Sequence, residues 1–235
     1  MLKKLIITAI SASLVASAVF ADSTNVGFRI SAGNLAASGT ENTNLSGTDV
    51  TQAEKDANFE MASVFVERQI ETSDKFNIII GLDYVPITAD VTTLGGGTGF
   101  DAKVSAGNLF TAYVQPTFIL NDTISVFGKV GFASGDLEIT NISRQATTAG
   151  TASTDVAQDK TLEGTVFGIG VQKNTATGLF DFIRVEATQT DFDTISHTNS
   201  NSKKLTADAE MQLISLSLRL QGMTCSYRSH PICYF

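Results

Sequence analysis

Eight strand-like runs are separated by connectors that alternate between short and long, and few architectures tolerate that rhythm. The runs lie near 25–35, 59–69, 76–85, 109–120, 123–134, 162–172, 179–191 and 207–220. The short connectors are Glu71–Ser73, Asn121–Asp122 and Lys173–Gly178. The long ones are Ala36–Asn58, Pro86–Asn108, Gly135–Thr161 and Phe192–Thr206, all rich in Thr, Ser, Gly, Asn and Asp. A chain threaded through a bilayer from one side needs tight turns on that side and tolerates long connections on the other. A soluble sandwich has no reason to alternate so regularly.

The N-terminus points to export. Met1 to Lys4 is a basic n-region, Leu5 to about Val19 is apolar, and Val19 and Ala21 are the small residues read by a signal peptidase, so removal of residues 1–21 is expected. Cleavage takes Lys3 and Lys4, which leaves 14 basic residues against 24 acidic ones and a mature charge of about −10. That balance argues against nucleic acid as a partner. After the leader no apolar stretch is long enough for a membrane helix. Spanning must then use strands closed into a barrel, because lipid leaves no other way to satisfy the backbone.

The runs carry the required period of two. Phe76, Ile78, Ile80, Leu82 and Tyr84 share one face, with Asn77, Ile79, Gly81, Asp83 and Val85 on the other. Ile124, Val126, Val130 and Phe132 oppose Ser125, Phe127, Lys129 and Gly131; Phe167, Ile169 and Val171 oppose Gly164, Gly168 and Gly170. Ile214, Leu216, Leu218 and Leu220 oppose Ser215, Ser217 and Arg219. A soluble strand shows the same alternation, so it is the combination with leader and connector rhythm that decides. The fold expected is an all-β, closed antiparallel transmembrane barrel of eight strands over residues 22–220. Four long external loops, short periplasmic turns and periplasmic termini complete it. Phe76 and Phe118 are expected at the periplasmic rim, and Tyr84, Phe110 and Phe132 at the outer rim; Trp, a favoured interface residue, is absent. Pro116 falls inside a run, where a bulge or strand end is expected because it donates no ladder bond. The first and third long connectors leave room for an extra hairpin each.

On the lumen face the candidate charges are Arg29, Glu67, Asp83, Lys129, Arg184, Glu186 and Arg219, with Tyr113 and Gln115 beside them. An eight-stranded barrel has an interior just wide enough for side chains to fill, and charges there must be paired to offset desolvation. A structural ion-pair network is the reading preferred, with a narrow polar conduit or a ligand site as the alternatives. Arg184 and Glu186 lie two apart on one face, so each reaches partners on neighbouring strands.

The segments GLDYVP at 81–86, FGKVGF at 127–132, FGIGV at 167–171 and FIRVEA at 182–187 resemble strands of small outer-membrane proteins with an OmpA-type, OmpX-type or opacity-type barrel domain. The resemblance spans nearly the whole mature chain. It implies a bacterial outer-membrane location, outer-membrane lipids as surroundings, and the barrel-assembly machinery as a partner during biogenesis. Members serve as structural envelope proteins, adhesins, evasion factors or low-conductance pores, and fold does not choose among them. Such proteins usually end on an aromatic residue, whereas here the last run ends on Leu218 to Leu220 and a tail, 221–235, continues without alternation. The tail holds Cys225 and Cys233, with seven residues between them, which in an oxidising compartment either close a small disulfide loop or stay unpaired. His230 alone is too little for a metal site.

No catalytic signature emerges, and no cofactor or metal is expected. Gly95 to Gly99 lacks the Lys-Ser/Thr of a phosphate loop, and His197 near Asp191 and Asp193 reads as a solvated loop histidine rather than a rim acid-base pair. Two functions remain: a surface protein that meets an extracellular ligand through acidic loops carrying Glu41, Asp49, Glu54, Asp56, Asp101, Asp155 and Asp159, or a small pore made roomy by lumenal glycines.

Overall fold

The computed structural model describes residues 24–42, 50–86, 89–94, 100–144, 153–154, 158–175, 180–198, 204–220, 225–226 and 232–233. The leader 1–21, the glycine run 95–99 and most of the tail lie outside them.

Eight long strands form the wall: β1 (Thr24–Asn42), β2 (Val50–Ser73), β3 (Phe76–Val85), β4 (Phe100–Ile119), β5 (Ile124–Arg144), β6 (Gln158–Asn174), β7 (Phe180–Phe192) and β8 (Lys204–Leu220). Each pairs antiparallel with its sequence neighbours, and β8 returns to β1 with Arg29 opposite Ser217, so the sheet closes. Closure removes the unpaired strand edges that lipid forbids. Short pieces add to this wall: Ala89–Leu94 pairs with the upper part of β4, Ile195–Thr198 with β8, and Ser153–Thr154 with β5.

Exposure alternates residue by residue, most plainly along β3. Asn77, Ile79, Asp83 and Val85 are buried in the lumen, while outward Val64, Ile169, Val185 and Ile214 are each at least 48% exposed in the absence of lipid. On each strand the apolar run of outward side chains stops six to eleven residues from the short-turn end, and on all but β3, where Pro86 follows Tyr84, a polar residue comes next. The steps run Ala32 to Asn34, Ala62 to Glu60, Tyr84 to Pro86, Phe110 to Asn108, Phe132 to Ser134, Phe167 to Thr165, Ala187 to Gln189, and Ile214 to Gln212. These spans are close to the roughly 9–11 residues a tilted strand needs to cross hydrocarbon. The rings of Tyr84 and Phe110 stack 4.3 Å apart at this edge, and Phe76 faces Phe118 in register near the other.

Several expectations are corrected. The long connectors are largely strand: the β1–β2 ladder runs out to Asn42 opposite Val50, and β4 and β5 pair as far as Phe100 opposite Arg144. Beyond the belt no lipid demands an apolar face, so the ladder continues with no alternating signature. About ten residues at 3.3 Å rise, tilted 35–45°, carry the wall roughly 25 Å past the membrane. These hairpins extend existing strands, and the staves number eight. The first turn is Asp74–Lys75, three residues later than expected, because β2 stays paired through Ser73 opposite Phe76. Pro116 makes no bulge. The β4–β5 register is the same at Val114 opposite Val130 and at Thr117 opposite Phe127, and only the Gln115 and Pro116 pairings between them lapse. Gly128 stands across the gap, where a Cβ would sit 4.0 Å from the proline ring. The register of this ladder shifts instead at Asp101/Lys103 and at Gly107/Phe110, and at the latter Asn108 takes φ 49° and bonds Tyr84 and Asp136. Short connections are built locally, as where Asn121 Oδ1 accepts the backbone N–H groups of Thr123 and Ile124 at 3.0 and 2.9 Å.

Candidate functional site

The lumen is filled at mid-height. Phe65 of β2, Tyr113 of β4, Phe127 of β5 and Phe182 of β7 point inward and are at most 6% exposed. Three lumenal glycines make room for these rings: a Cβ on Gly27 would lie 2.4 Å from Phe65, on Gly81 2.3 Å from Tyr113, and on Gly170 2.3 Å from Phe127. The space those glycines open is therefore occupied by aromatic rings.

Around the rings the inward charges form pairs across the lumen. Arg184 of β7 grips Glu67 of β2 with two bonds, Nη1 to Oε1 at 2.5 Å and Nη2 to Oε2 at 2.9 Å, and neither side chain has exposed surface. Tyr113 donates to the same carboxylate at 2.6 Å, and Gln172 accepts from Arg184 at 2.8 Å. The guanidinium also lies 4.6 Å from the Phe182 ring centre. Such a planar fork on a carboxylate is the strongest form of ion pair.

A second chain of charges links four more strands. Lys129 of β5 holds both oxygens of Glu186 on β7 at 2.8 and 2.6 Å and lies 4.3 Å from the Tyr113 ring centre. Arg29 of β1 meets Glu186 at 3.3 Å, Asp83 of β3 at 2.5 Å and Ser217 of β8 at 2.9 Å. Nearer the short-turn end, Arg219 bonds Asn25 at 2.5 Å and Asp181 at 3.0 Å. All seven charges named from the sequence sit in the wall, six of them fully inside and Arg219 toward the mouth. Arg184 and Glu186 share a face, yet one reaches to β2 and the other to β5 and β1. Sequence reasoning placed Ser217 on the lumen face but overlooked Asp181, Asn25 and Gln172, and it did not see the rings as a plug. The signal available was the match of glycines to inward aromatic residues on adjacent strands.

A polar chamber of ≈ 870 Å³, lined by Gln69, Asn77, Thr117, Ser125, Gln172 and Arg219, lies toward the short turns. Among the described residues no group of His, Cys, Asp and Glu is set to hold a metal. His197 lies on the short strand paired with β8, opposite Leu205, and Asp191 accepts from Gln189. In the tail, Cys225 and Cys233 stand opposite each other in backbone register.

A closed wall of eight antiparallel strands with a lipid-length belt is the architecture of a known envelope family, and the model for the outer membrane protein beta-barrel domain matches residues 7–219. The chain belongs to this family. An outer membrane protein beta-barrel of this kind resides in the bacterial outer membrane. Solved structures similar to it include Ail, the attachment invasion locus protein of Yersinia pestis, at 12% identity and TM-score 0.36, covering 83% of this chain and 99% of that one. Neisserial surface protein A is similar at 11% identity and TM-score 0.41, covering 83% and 96%. The outer membrane protease OmpT from Escherichia coli is similar at 10% identity and TM-score 0.35, covering 83% and 97%. No curated protein matches the chain. For the outer membrane protein beta-barrel described here, the chemistry must be read from its own residues.

Proposed function

We infer that this barrel is a non-catalytic surface protein whose extended hairpins face outward and meet extracellular partners, while the lumen network serves stability. The observation that carries this reading is the packed lumen: the rings of Phe65, Tyr113, Phe127 and Phe182 and the paired charges around them are buried, which supports placing the accessible chemistry on the strands that project beyond the belt. Those projecting strands are acidic on their outer side, with Glu54, Asp56, Asp136, Asp191, Asp208 and Glu210 exposed or half-exposed. A rigid paired ladder presents such groups with less ordering cost than a free loop. On this reading both termini lie in the periplasm, on the short-turn side.

Small-pore activity is the competing reading, and the glycine-lined lumen was its support. The rings seated over Gly27, Gly81 and Gly170 count against it. Single-channel recording in planar bilayers decides between them: the surface reading requires no resolved ion current, and discrete conductance steps from the purified protein refute it. Protease digestion of intact cells tests orientation, since the hairpins must be cut from outside.

A further inference from the structure

The chamber of ≈ 870 Å³ toward the short turns holds side chains whose hydrogen-bonding capacity the protein itself does not use. Asn77 of β3 and Ser125 of β5 line it, are 8% and 6% exposed, and make no side-chain hydrogen bond among the described residues. One row further in, Gln115 of β4 stands opposite Ile79, another lining residue. Its Nε2 donates to Thr117 at 3.4 Å, while its Oε1 is buried with no partner. A buried polar group left unmet is costly, and a solute that supplies donors here recovers that cost.

The same chamber is negatively charged. Glu71, Asp74, Asp122 and Asp181 line it against a single lining cation, Arg219, and that guanidinium is already held by Asp181 at 3.0 Å and Asn25 at 2.5 Å. Glu71, Asp74 and Asp122 are exposed and have no ion pair among the described residues. Lys75 and Lys173 stand at this end of the barrel but are not part of the lining. Asp74 precedes Asn77 by three residues and Asp122 precedes Ser125 by three. At most about 10 Å of chain therefore separates each turn carboxylate from the unmet group above it. Ile79 and Ile119 supply apolar wall between them.

These features select an occupant. Three unpaired carboxylates disfavour an anion. No aromatic residue lines the chamber for a sugar ring to stack on, and among the described residues no acidic group is set to hold a metal. An ammonium brings three donors and no acceptor, which suits the carboxylates and the unmet amide and hydroxyl oxygens alike, and methylenes suit the isoleucines. Two sets of acceptors a short chain apart call for an ammonium at each end.

We propose that the short-turn chamber is a binding site for a free linear aliphatic diamine or polyamine, with one ammonium on Asn77 and Ser125 and another on Glu71, Asp74 and Asp122. The site lies apart from the projecting strands and does not depend on which way the barrel faces.

The test is calorimetric titration of the full-length protein in uncharged detergent with 1,4-diaminobutane, at about 0.15 M ionic strength, where exposed charges more than about 8 Å apart are screened. One saturable site is expected, and 1-aminobutane, with the same chain and one ammonium, should bind about tenfold more weakly. Asn77→Leu should weaken the diamine about tenfold, and so should Asp74→Asn with Asp122→Asn, both at exposed turn positions that serve if the buried variant does not fold. Glu54→Gln with Asp56→Asn removes the same charge from an exposed stretch of β2 and should leave binding unchanged. Absence of saturable binding overturns the site. Equal binding of monoamine and diamine, or equal loss in the two acid pairs, means counter-ion screening only and overturns it as well. So does binding that survives both Asn77→Leu and the Asp74 and Asp122 pair. Tighter binding of Nα-acetyl-lysine amide than of the diamine also refutes the proposal, because the chamber then takes a protein side chain rather than a free amine.

Discussion

Replacing Arg184 with Ala removes the centre of the lumen plug, and the structure indicates how much that costs. The wild-type side chain makes two bonds to Glu67 and two to Gln172, at 2.5, 2.9, 3.2 and 2.8 Å, with no exposed surface on the arginine or the glutamate. After truncation Glu67 keeps the Tyr113 hydroxyl at 2.6 Å as its bonded partner and remains a buried carboxylate. Removing one partner of a buried pair costs roughly 3–5 kcal/mol, because the other is left charged and desolvated. Loss of the guanidinium from the Phe182 face adds about 0.5–2 kcal/mol more. The double variant Arg184→Met with Glu67→Leu takes both charges away, and apolar replacement of a buried pair is often neutral or stabilising. Its stability should therefore recover well beyond that of the single variant. Urea unfolding in vesicles, followed by the gel shift between folded and heat-denatured forms, measures both. A loss for Arg184→Ala below about 1 kcal/mol, the range of surface pairs, refutes the buried network. So does a double variant as unstable as the single one.

The remaining predictions follow from the same wall. Gly81→Ala drives a methyl to within 2.3 Å of the Tyr113 ring and should cost about 1–3 kcal/mol in unfolding free energy as an overpacked site. Gly39→Ala, where a Cβ meets Thr206 O at an ordinary 3.7 Å, should leave the urea midpoint within about 0.5 kcal/mol of wild type. Circular dichroism of the refolded protein should be β-rich, and a helical spectrum contradicts the fold. Deleting residues 221–235 with Leu220→Phe should hold or raise the yield of inserted barrel; failure of this variant to insert makes the tail part of the closing strand. Cys225 and Cys233, opposite each other in backbone register, should resist maleimide labelling in the oxidised protein and react after reduction, and labelling without reductant excludes the disulfide.

Which side of the wall each residue faces was legible in the sequence, because lipid imposes an apolar residue at every second position for as long as a strand is in the membrane. Leu82 and Asp83, or Val185 and Glu186, are assigned to opposite faces by that rule alone, and the short turns order the strands. The same rule explains the errors. Past Asn34, Glu60 or Ser134 the constraint of lipid ends, so a paired ladder and a free loop have the same composition, and only hydrogen-bond register distinguishes them. Partner choice in the lumen was likewise a tertiary matter. Arg184 and Glu186 are near neighbours in sequence, but barrel closure brings Glu67 to one and Lys129 and Arg29 to the other. The lumenal glycines looked like open space in one dimension; in three they are the seats of Phe65, Tyr113 and Phe127, each directly opposite its glycine on the neighbouring strand, a register that the hydrogen-bonded ladder sets and the alternation of side chains does not.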